Sequence, residues 1–375
     1  MRVLYVTANS YLRSTTSSLN AILKVLRPKG IDPVMIFKEE GPWQQQLAQT
    51  GVPCYFDQLR VPGKSRPVAA LADTLKFARL ISRENIDIVH CNEHEHYPAM
   101  RLAARLTRRP SVVTLHWNLE PGFGRWAFAP PYAPAAIQFL SRAQLEASRA
   151  GLPPACDPKT VKLLMSGLAI DEFLGRGDSG ASMRASWGVR EGTVVIGTAS
   201  AIKPRKHLED FIRIVGMLRK SGLDVVGVIA GGGLFTDEAY HAQLLRVIAE
   251  EQLERTCLLI GNVDPVTPFF RALDLCINTS EMEILSMSMC EGMACGKPTL
   301  AYAVGGNPET VHDPWCVVPF GDVEGLASRA EALVRDANLR RSTGALALQW
   351  VRSHFDAPVL AARQESIYKE VLSGA

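Results

Sequence analysis

Short apolar runs of strand length alternate with amphipathic segments of helix length along most of the chain, and this alternation constrains the fold most tightly. Val3–Thr7 precedes a helical stretch near Ser17–Leu26, and Val34–Phe37 precedes Gln44–Thr50. Cys54–Phe56 comes next, and a long helix, Ala69–Glu84, leads to the strand Ile86–Cys91. Helix Pro98–Leu106 and strands Ser111–His116 and Ala136–Leu140 follow. Such a strand–helix–strand rhythm predicts a parallel sheet covered on both faces.

The rhythm falters across residues 167–192, rich in Gly, Ser and Asp, and an interdomain linker is expected there. It resumes with strands Val194–Thr198, Val225–Ala230, Cys257–Ile260, Leu275–Asn278 and Thr299–Tyr302, with helices such as Leu208–Leu218 between them. A last amphipathic helix spans Pro358–Leu372. The chain thus reads as two α/β domains, 1–172 and 173–357, with a terminal segment 358–375. A length of 375 residues suits two such domains. A cleft between such domains, outside the carboxyl ends of the strands, is the usual place for a nucleotide-bearing ligand.

Apolar residues at 47% and charged ones at 21% exclude a disordered chain. No apolar run reaches the roughly 18 residues of a membrane span. The opening MRVLYVTANS breaks at Thr7 and Asn9 and reads as a strand instead of a signal peptide, so a cytoplasmic protein is expected. The eight cysteines form no CxxC pair and fit reduced, buried thiols. Residues 1–170 hold 21 Lys and Arg against 12 Asp and Glu, a net of +9, whereas the remainder nets −6. The basic half suits an anionic partner: a phosphorylated acceptor or an anionic lipid surface. No reader motif or aromatic–basic platform for nucleic acid accompanies it.

The most informative stretch is 280–309, SEMEILSMSMCEGMACGKPTLAYAVGGNPE. On one helix, Glu283 and Glu291 would stand about 80° apart, poor for a shared face. The better reading puts Glu283 in a loop and Glu291 in the first turns of the helix that follows. The N–H groups of Ile284, Leu285 and Ser286 then form an anion site suited to a diphosphate. Each carboxylate is free to accept hydrogen bonds from paired hydroxyls.

These residues resemble the retaining GT-B glycosyltransferases of family 4, also called glycosyl transferases group 1. The resemblance rests on Glu283-x7-Glu291, the following Ala-Cys-Gly-Lys-Pro, Val304-Gly-Gly-Asn-Pro-Glu309, and the upstream Asp274 and Ser280. It implies an α/β fold of two Rossmann-like domains facing each other across a cleft, with the C-terminal helix crossing back to the N-terminal domain. It also implies that Glu291 binds ribose hydroxyls and Glu283 those of the donor sugar. The loop Ala199–His207 resembles the strand–loop that supplies a basic pair to the donor phosphates, with Lys206 as the family lysine. Ala201 falls where the family arginine is expected, which leaves Lys203 or Arg205 to supply that charge. Gly231 and Gly232 resemble the glycine turn facing the nucleotide, and Asn262 and Val263 the loop whose backbone reads the base.

In the first half, His116 matches the family's strand-end histidine beside the donor sugar. His90, Glu93, Arg13, Ser14 and Thr15 are the candidates on the acceptor side. The loop after the first strand, Asn9–Thr16, lacks the family's paired glycines. Lys162–Phe173 resembles the segment before the linker, and Ser141 an upstream one. His94 and His96 flank Glu95 in one loop, and the family chemistry uses no bound metal and no cofactor beyond the nucleotide sugar.

The implied reaction transfers a hexose-type sugar from a nucleotide diphosphate donor, UDP-linked by preference, to a hydroxyl of a glycan, lipid-linked or small-molecule acceptor. Lys206, its basic neighbours and the helix N-terminus would stabilise the leaving diphosphate, and the acceptor would attack from the front face with retention. Two alternatives stand beside it: a nucleotide-sugar epimerase of the same fold, and a catalytically weak nucleotide-sugar-binding paralogue. Peripheral association with an anionic membrane is a further expectation from the basic half.

Overall fold

A computed structural model describes the chain except Arg13, 62–66, Ala155, 234–235 and Ala375, and of Ser14 and Pro67 only the backbone. The chain forms two compact units: Met1–Gly167 with the segment from Ala357, and Leu168–Asp356. Each is built on a parallel sheet.

The first sheet comprises β1 (Arg2–Val6), β2 (Asp32–Phe37), β3 (Cys54–Phe56), β4 (Ile88–Cys91), β5 (Ser111–Thr114), β6 (Ala136–Phe139) and β7 (Val161–Leu163). Its order is β3-β2-β1-β4-β5-β6-β7. The second comprises β8 (Val194–Ala199), β9 (Val225–Ala230), β10 (Cys257–Leu259), β11 (Leu275–Asn278), β12 (Thr299–Tyr302) and β13 (Val317–Val318), in the order β10-β9-β8-β11-β12-β13. Both are the parallel sheets expected from the rhythm, with the Rossmann-like form that the family resemblance implies. The direction of strand succession reverses between β1 and β4 in one sheet and between β8 and β11 in the other. Loops leaving the carboxyl ends of such a pair diverge and open a crevice, the usual ligand position in α/β sheets.

The central strands are largely apolar because both faces are covered. In β1, Leu4 and Val6 join one buried cluster, while Val3 and Tyr5 join another on the opposite face. Successive strand side chains point to opposite faces, so two helical layers need two apolar registers in each strand.

Five helices matter below: α1 (Ser14–Leu26), α2 (Tyr97–Leu106), α3 (Leu208–Lys220), α4 (Met287–Ala294) and α5 (Ala357–Ser373). The C-terminal helix α5 belongs to the first unit, where Leu360, Ala361, Ile367 and Tyr368 share a core cluster with Leu19, Ile22, Leu23 and Leu26 of α1. Each large apolar side chain buried this way contributes roughly 1.5–3 kcal/mol.

A buried hydrogen-bond chain fastens α5 further. Tyr368 Oη lies 2.9 Å from Tyr5 Oη and 2.5 Å from His90 Nδ1. His90 Nε2 lies 2.8 Å from Thr114 Oγ1, which donates to Gln138 Oε1 at 2.7 Å. Gln138 Nε2 then donates to Gln364 Oε1 of α5 at 3.0 Å. Thr114 spends its proton on Gln138, so His90 carries its own on Nε2. Burial pushes the His90 pKa down to about 3, which keeps the ring neutral.

Three sequence expectations need correction. The expected boundary at 172/173 moves to Gly167/Leu168, because Leu168 N–H bonds Phe355 O at 3.0 Å and Ile170 N–H bonds Asp356 Oδ1 at 3.2 Å inside the second unit. The C-terminal segment correspondingly returns to the first unit at Ala357 instead of residue 358. The expected linker across 167–192 is largely folded into the second unit. There Ile170 and Phe173 are buried and Arg184 bonds Asp274 Oδ2 at 2.9 Å. Strands β7 and β13 were not expected; both are edge strands, and β7 is interrupted by Lys162 while β13 has only two residues. Among the described residues no helix is long and apolar enough to cross a membrane.

Candidate active site

Side chains predicted to act on a donor gather where β8 and β11 diverge. The loop after β8 carries Lys206 at the end of a single 3-10 turn, Pro204–Lys206. Its main chain is tied to the loop after β11: Glu281 N–H bonds Arg205 O at 3.0 Å, and Thr279 Oγ1 bonds Lys206 O at 3.0 Å. This brings Lys206 Nζ to 2.5 Å from Glu283 Oε1, with both side chains only 11–12% exposed. Ser280 Oγ at 2.8 Å and Asn278 Nδ2 at 3.5 Å also donate to Oε1. Three donors therefore crowd one carboxylate oxygen, while Oε2 takes none among the described residues. The ammonium keeps two further protons for an oxyanion, and Oε2 keeps its lone pairs for hydroxyls.

Glu283 is also fixed through its carbonyl. Gly306 N–H bonds Glu283 O at 3.0 Å, and Gly305 turns with φ 47° so close to it that an added Cβ would lie 1.7 Å from Glu283 O. Only glycine allows that approach, which gives the Gly-Gly of the sequence motif a physical task.

Helix α4 begins at Met287 after the N-cap Ser286. Ser286 does not cap: its Oγ accepts from Asn278 Nδ2 at 3.1 Å and lies 3.3 Å from Ser288 Oγ. The N–H groups of Ile284, Leu285 and Ser286 make no hydrogen bond among the described residues, and a helix N-terminus in that condition favours an anion. Glu291 stands one turn into α4. Its carboxylate has no hydrogen-bond or ionic partner among the described residues, and burial alone pushes its pKa up to about 7. A half-buried carboxylate without a partner is poorly solvated, and hydroxyl donors from a ligand would relieve it.

The remaining loops lie at the same carboxyl edge. Gly231 N–H bonds Gly261 O at 2.8 Å, and a Cβ on Gly231 would lie 1.7 Å from Ser200 O. The loops after β8, β9 and β10 are thus laced together, with Gly232 and the exposed Asn262 and half-buried Val263 beside them. Arg205 is half-buried, and its guanidinium has no partner among the described residues, whereas Lys203 is engaged.

In the first unit, Glu93 sits where β1 and β4 diverge. It accepts from Thr7 Oγ1 at 2.9 Å, Ala8 N–H at 3.2 Å and Asn92 Nδ2 at 3.0 Å. Burial outweighs these bonds and pushes its pKa up to about 7. His116 follows β5, is 7% exposed, and neither ring nitrogen makes a hydrogen bond among the described residues. Burial, then the neighbouring His94, lowers its pKa to about 4. Thr15 and His116 line one small cavity of about 30 Å³. His90 lines it too, but both its nitrogens are spent inside the sheet on Tyr368 and Thr114. The acceptor-side role expected of His90 thus gives way to an interior one. Arg13 and the side chain of Ser14 lie outside the described residues. Among the described residues no group of three or more His, Cys, Asp or Glu side chains is placed to hold a metal ion.

Two family models match in tandem: "Glycosyl transferase 4-like domain" over residues 16–152 and "Glycosyl transferases group 1" over residues 181–350. The chain is a GT-B glycosyltransferase. This glycosyltransferase is 25% identical over 332 residues to the N-acetyl-alpha-D-glucosaminyl L-malate synthase of Bacillus anthracis, covering 85% of this chain and 84% of that one. Its fold matches a glycosyltransferase structure from Rickettsia africae with a TM-score of 0.85 at 18% identity, covering 100% and 99% of the two chains. It also matches Anabaena HepE in complex with UDP, with a TM-score of 0.83 at 21% identity over 100% of both chains.

Sequence reasoning missed Asn278 and Gly305 as parts of the candidate site. Asn278 reads in the sequence as a strand's last residue, yet its amide bridges Glu283 and Ser286. The signal for Gly305 was present as Gly-Gly, but its partner, the carbonyl of Glu283, lies 22 residues upstream by number and leaves no local trace.

Proposed function

We propose that this glycosyltransferase moves a hexose-type sugar, with retention, from a nucleotide diphosphate donor to a hydroxyl acceptor, and that UDP is the preferred carrier. The observation that carries this reading is the Glu291 carboxylate: half-buried, without a partner among the described residues, and about one helical turn from the unpaired amides that precede its helix. The diphosphate would rest on the N–H groups of Ile284, Leu285 and Ser286, against Lys206, with Arg205 in place of the absent arginine at Ala201. Ribose hydroxyls would donate to Glu291, and sugar hydroxyls to Glu283 Oε2. The nucleotide sugar is the only co-substrate in this scheme, with no further cofactor or metal. UDP is favoured because a structure of the same fold holds it.

As the anomeric bond to the diphosphate breaks, negative charge grows on the leaving oxygens. Lys206 and the amides are already in place, so this charge is stabilised without reorganisation. Glu283 holds the ammonium in position while leaving two of its protons free. Neutral His116 has one donor and one acceptor for a sugar or acceptor hydroxyl, and Glu93 with Thr15 belongs to the acceptor side. The acceptor is a glycan, a lipid-linked sugar or a small hydroxylated molecule, reached from the cytoplasm, with contact to an anionic membrane as an option for the lipid-linked case.

A panel of nucleotide sugars assayed for nucleoside diphosphate release tests this reading, with Glu291→Ala and Lys206→Ala as controls. Release should rise with added alcohol acceptors and fall in both variants. Conversion of the donor sugar with no acceptor present would indicate an epimerase instead, and unchanged donor affinity and release in both variants would refute the site.

A further inference from the structure

A second pocket of the first unit lies at the opposite edge of its sheet from Glu93. Asp87 stands immediately before β4, Pro110 and Ser111 open β5, and Ala135 precedes β6, so the amino ends of three strands line it. Its volume is about 670 Å³, within the range of small-molecule sites. Four arginines line it (Arg101, Arg105, Arg108 and Arg109) against one carboxylate, Asp87, which already accepts from Arg2 N–H at 2.8 Å. None of the four pairs with a carboxylate among the described residues.

Two of these arginines are held in place. Arg101 Nη1 donates to Trp126 O at 2.9 Å and Ala127 O at 3.1 Å, and its guanidinium lies 4.4 Å from the Trp126 ring and 4.8 Å from that of Tyr132. Burial lowers its pKa, as expected for a cation partly stripped of water and lacking a counter-charge. Arg105 Nη1 donates to Pro131 O at 3.2 Å. Arg108 occupies the left-handed position that closes α2, with φ 54°, while Arg109 N–H bonds Ala104 O at 2.9 Å. Glycine is the usual residue there, so an arginine accepts backbone strain. The carbonyl end of a helix attracts a cation, but one would suffice, and four converge on this pocket.

We propose that this pocket binds a phosphate-bearing anion, separate from the donor site. Guanidinium forks match phosphate oxygens, and four positive charges against one negative favour a multiply charged oxyanion over a carboxylate. Val371, Leu372 and Ser373 of α5 also line the pocket, so an occupant would brace the end of that helix against the sheet. The inference localises the basic character of the first half of the sequence and does not depend on the sugar-transfer reading.

The test uses inorganic pyrophosphate as a soluble probe and vesicles of phosphatidylglycerol or phosphatidylcholine as a membrane probe. Arg108→Asn with Arg109→Gln is the variant; asparagine tolerates the left-handed backbone, and both side chains are exposed. Lys206→Ala separates this pocket from the donor site. If the source is soluble, pyrophosphate should raise the Tm of Lys206→Ala saturably, and the Arg108/Arg109 variant placed in that background should lose at least tenfold in apparent affinity. If the source is a lipid headgroup, sedimentation with phosphatidylglycerol alone should depend on the same two arginines. Donor turnover should stay within twofold of the parent in the Arg108/Arg109 variant. Probe binding that the Arg108/Arg109 substitutions leave unchanged, or no binding of either probe, would overturn the proposal.

Discussion

Glu291 concentrates the chemistry of the site at one carboxyl group. Its pKa, raised by burial from 4.5 to about 7, means that between those pH values the folded protein holds a proton there which the unfolded chain has released. The associated stability is present below pH 4.5 and lost as the pH rises through 7. Glu291→Gln should therefore be more stable than the parent at pH 8, by about 3 kcal/mol at most, with the gap closing toward pH 4.5. Urea denaturation at both pH values measures this. Nucleotide affinity should move in the opposite sense. Hydroxyl donors prefer the ionised carboxylate, so between pH 8 and 7, above the range in which the terminal phosphate of UDP titrates, UDP binding should weaken in the parent and change less in Glu291→Gln. A parent whose UDP affinity is flat from pH 7 to 8 would show that the carboxylate does not accept from the nucleotide.

The elements that hold these side chains make separate predictions. Gly305→Ala places a methyl group against the Glu283 carbonyl, where the ideal separation would be 1.7 Å. The loop must shift, and donor KM should rise at least about tenfold while the sheet stays folded, as kinetics and circular dichroism would report. Tyr368→Phe removes the hydroxyl that serves His90 and Tyr5, and should cost about 1–3 kcal/mol in chemical denaturation. Diphosphate release per folded molecule should be unaffected, because His90 is spent inside the sheet. Impaired release in fully folded Tyr368→Phe would restore a site role for His90.

Much of this was legible in the sequence because parallel strands buried on both faces are continuous apolar runs. All strands of four residues or more were visible for that reason, whereas β7 and β13 were not. Glu283, Glu291 and Lys206 were legible through their spacing within a motif. The environment of each was not: the crowding of Glu283 Oε1, the isolation of Glu291 and the interior bonding of His90 all depend on residues distant in the chain. The folded stretch after Gly167 was misread because its composition is that of a linker, while two apolar anchors, Ile170 and Phe173, decide its fate.

At the scale of the whole molecule, each unit brings its loops together at the point where strand succession reverses. The second unit supplies an amide-rich helix start, a lysine and two carboxylates there; the first supplies a neutral histidine and a protonatable glutamate. A ligand that binds only the folded form should stabilise it by mass action, so UDP at 100 times its Kd should add about 2.7 kcal/mol to stability, readable as a rise in Tm. The central claim is that a diphosphate is held by Lys206 and the amides ahead of α4 while Glu291 takes the ribose. Calorimetric titration of UDP into the parent, Lys206→Ala and Glu291→Gln tests it most directly. The account predicts that each substitution raises Kd at least about tenfold, or 1.4 kcal/mol. Parent-like UDP affinity in both variants would contradict it.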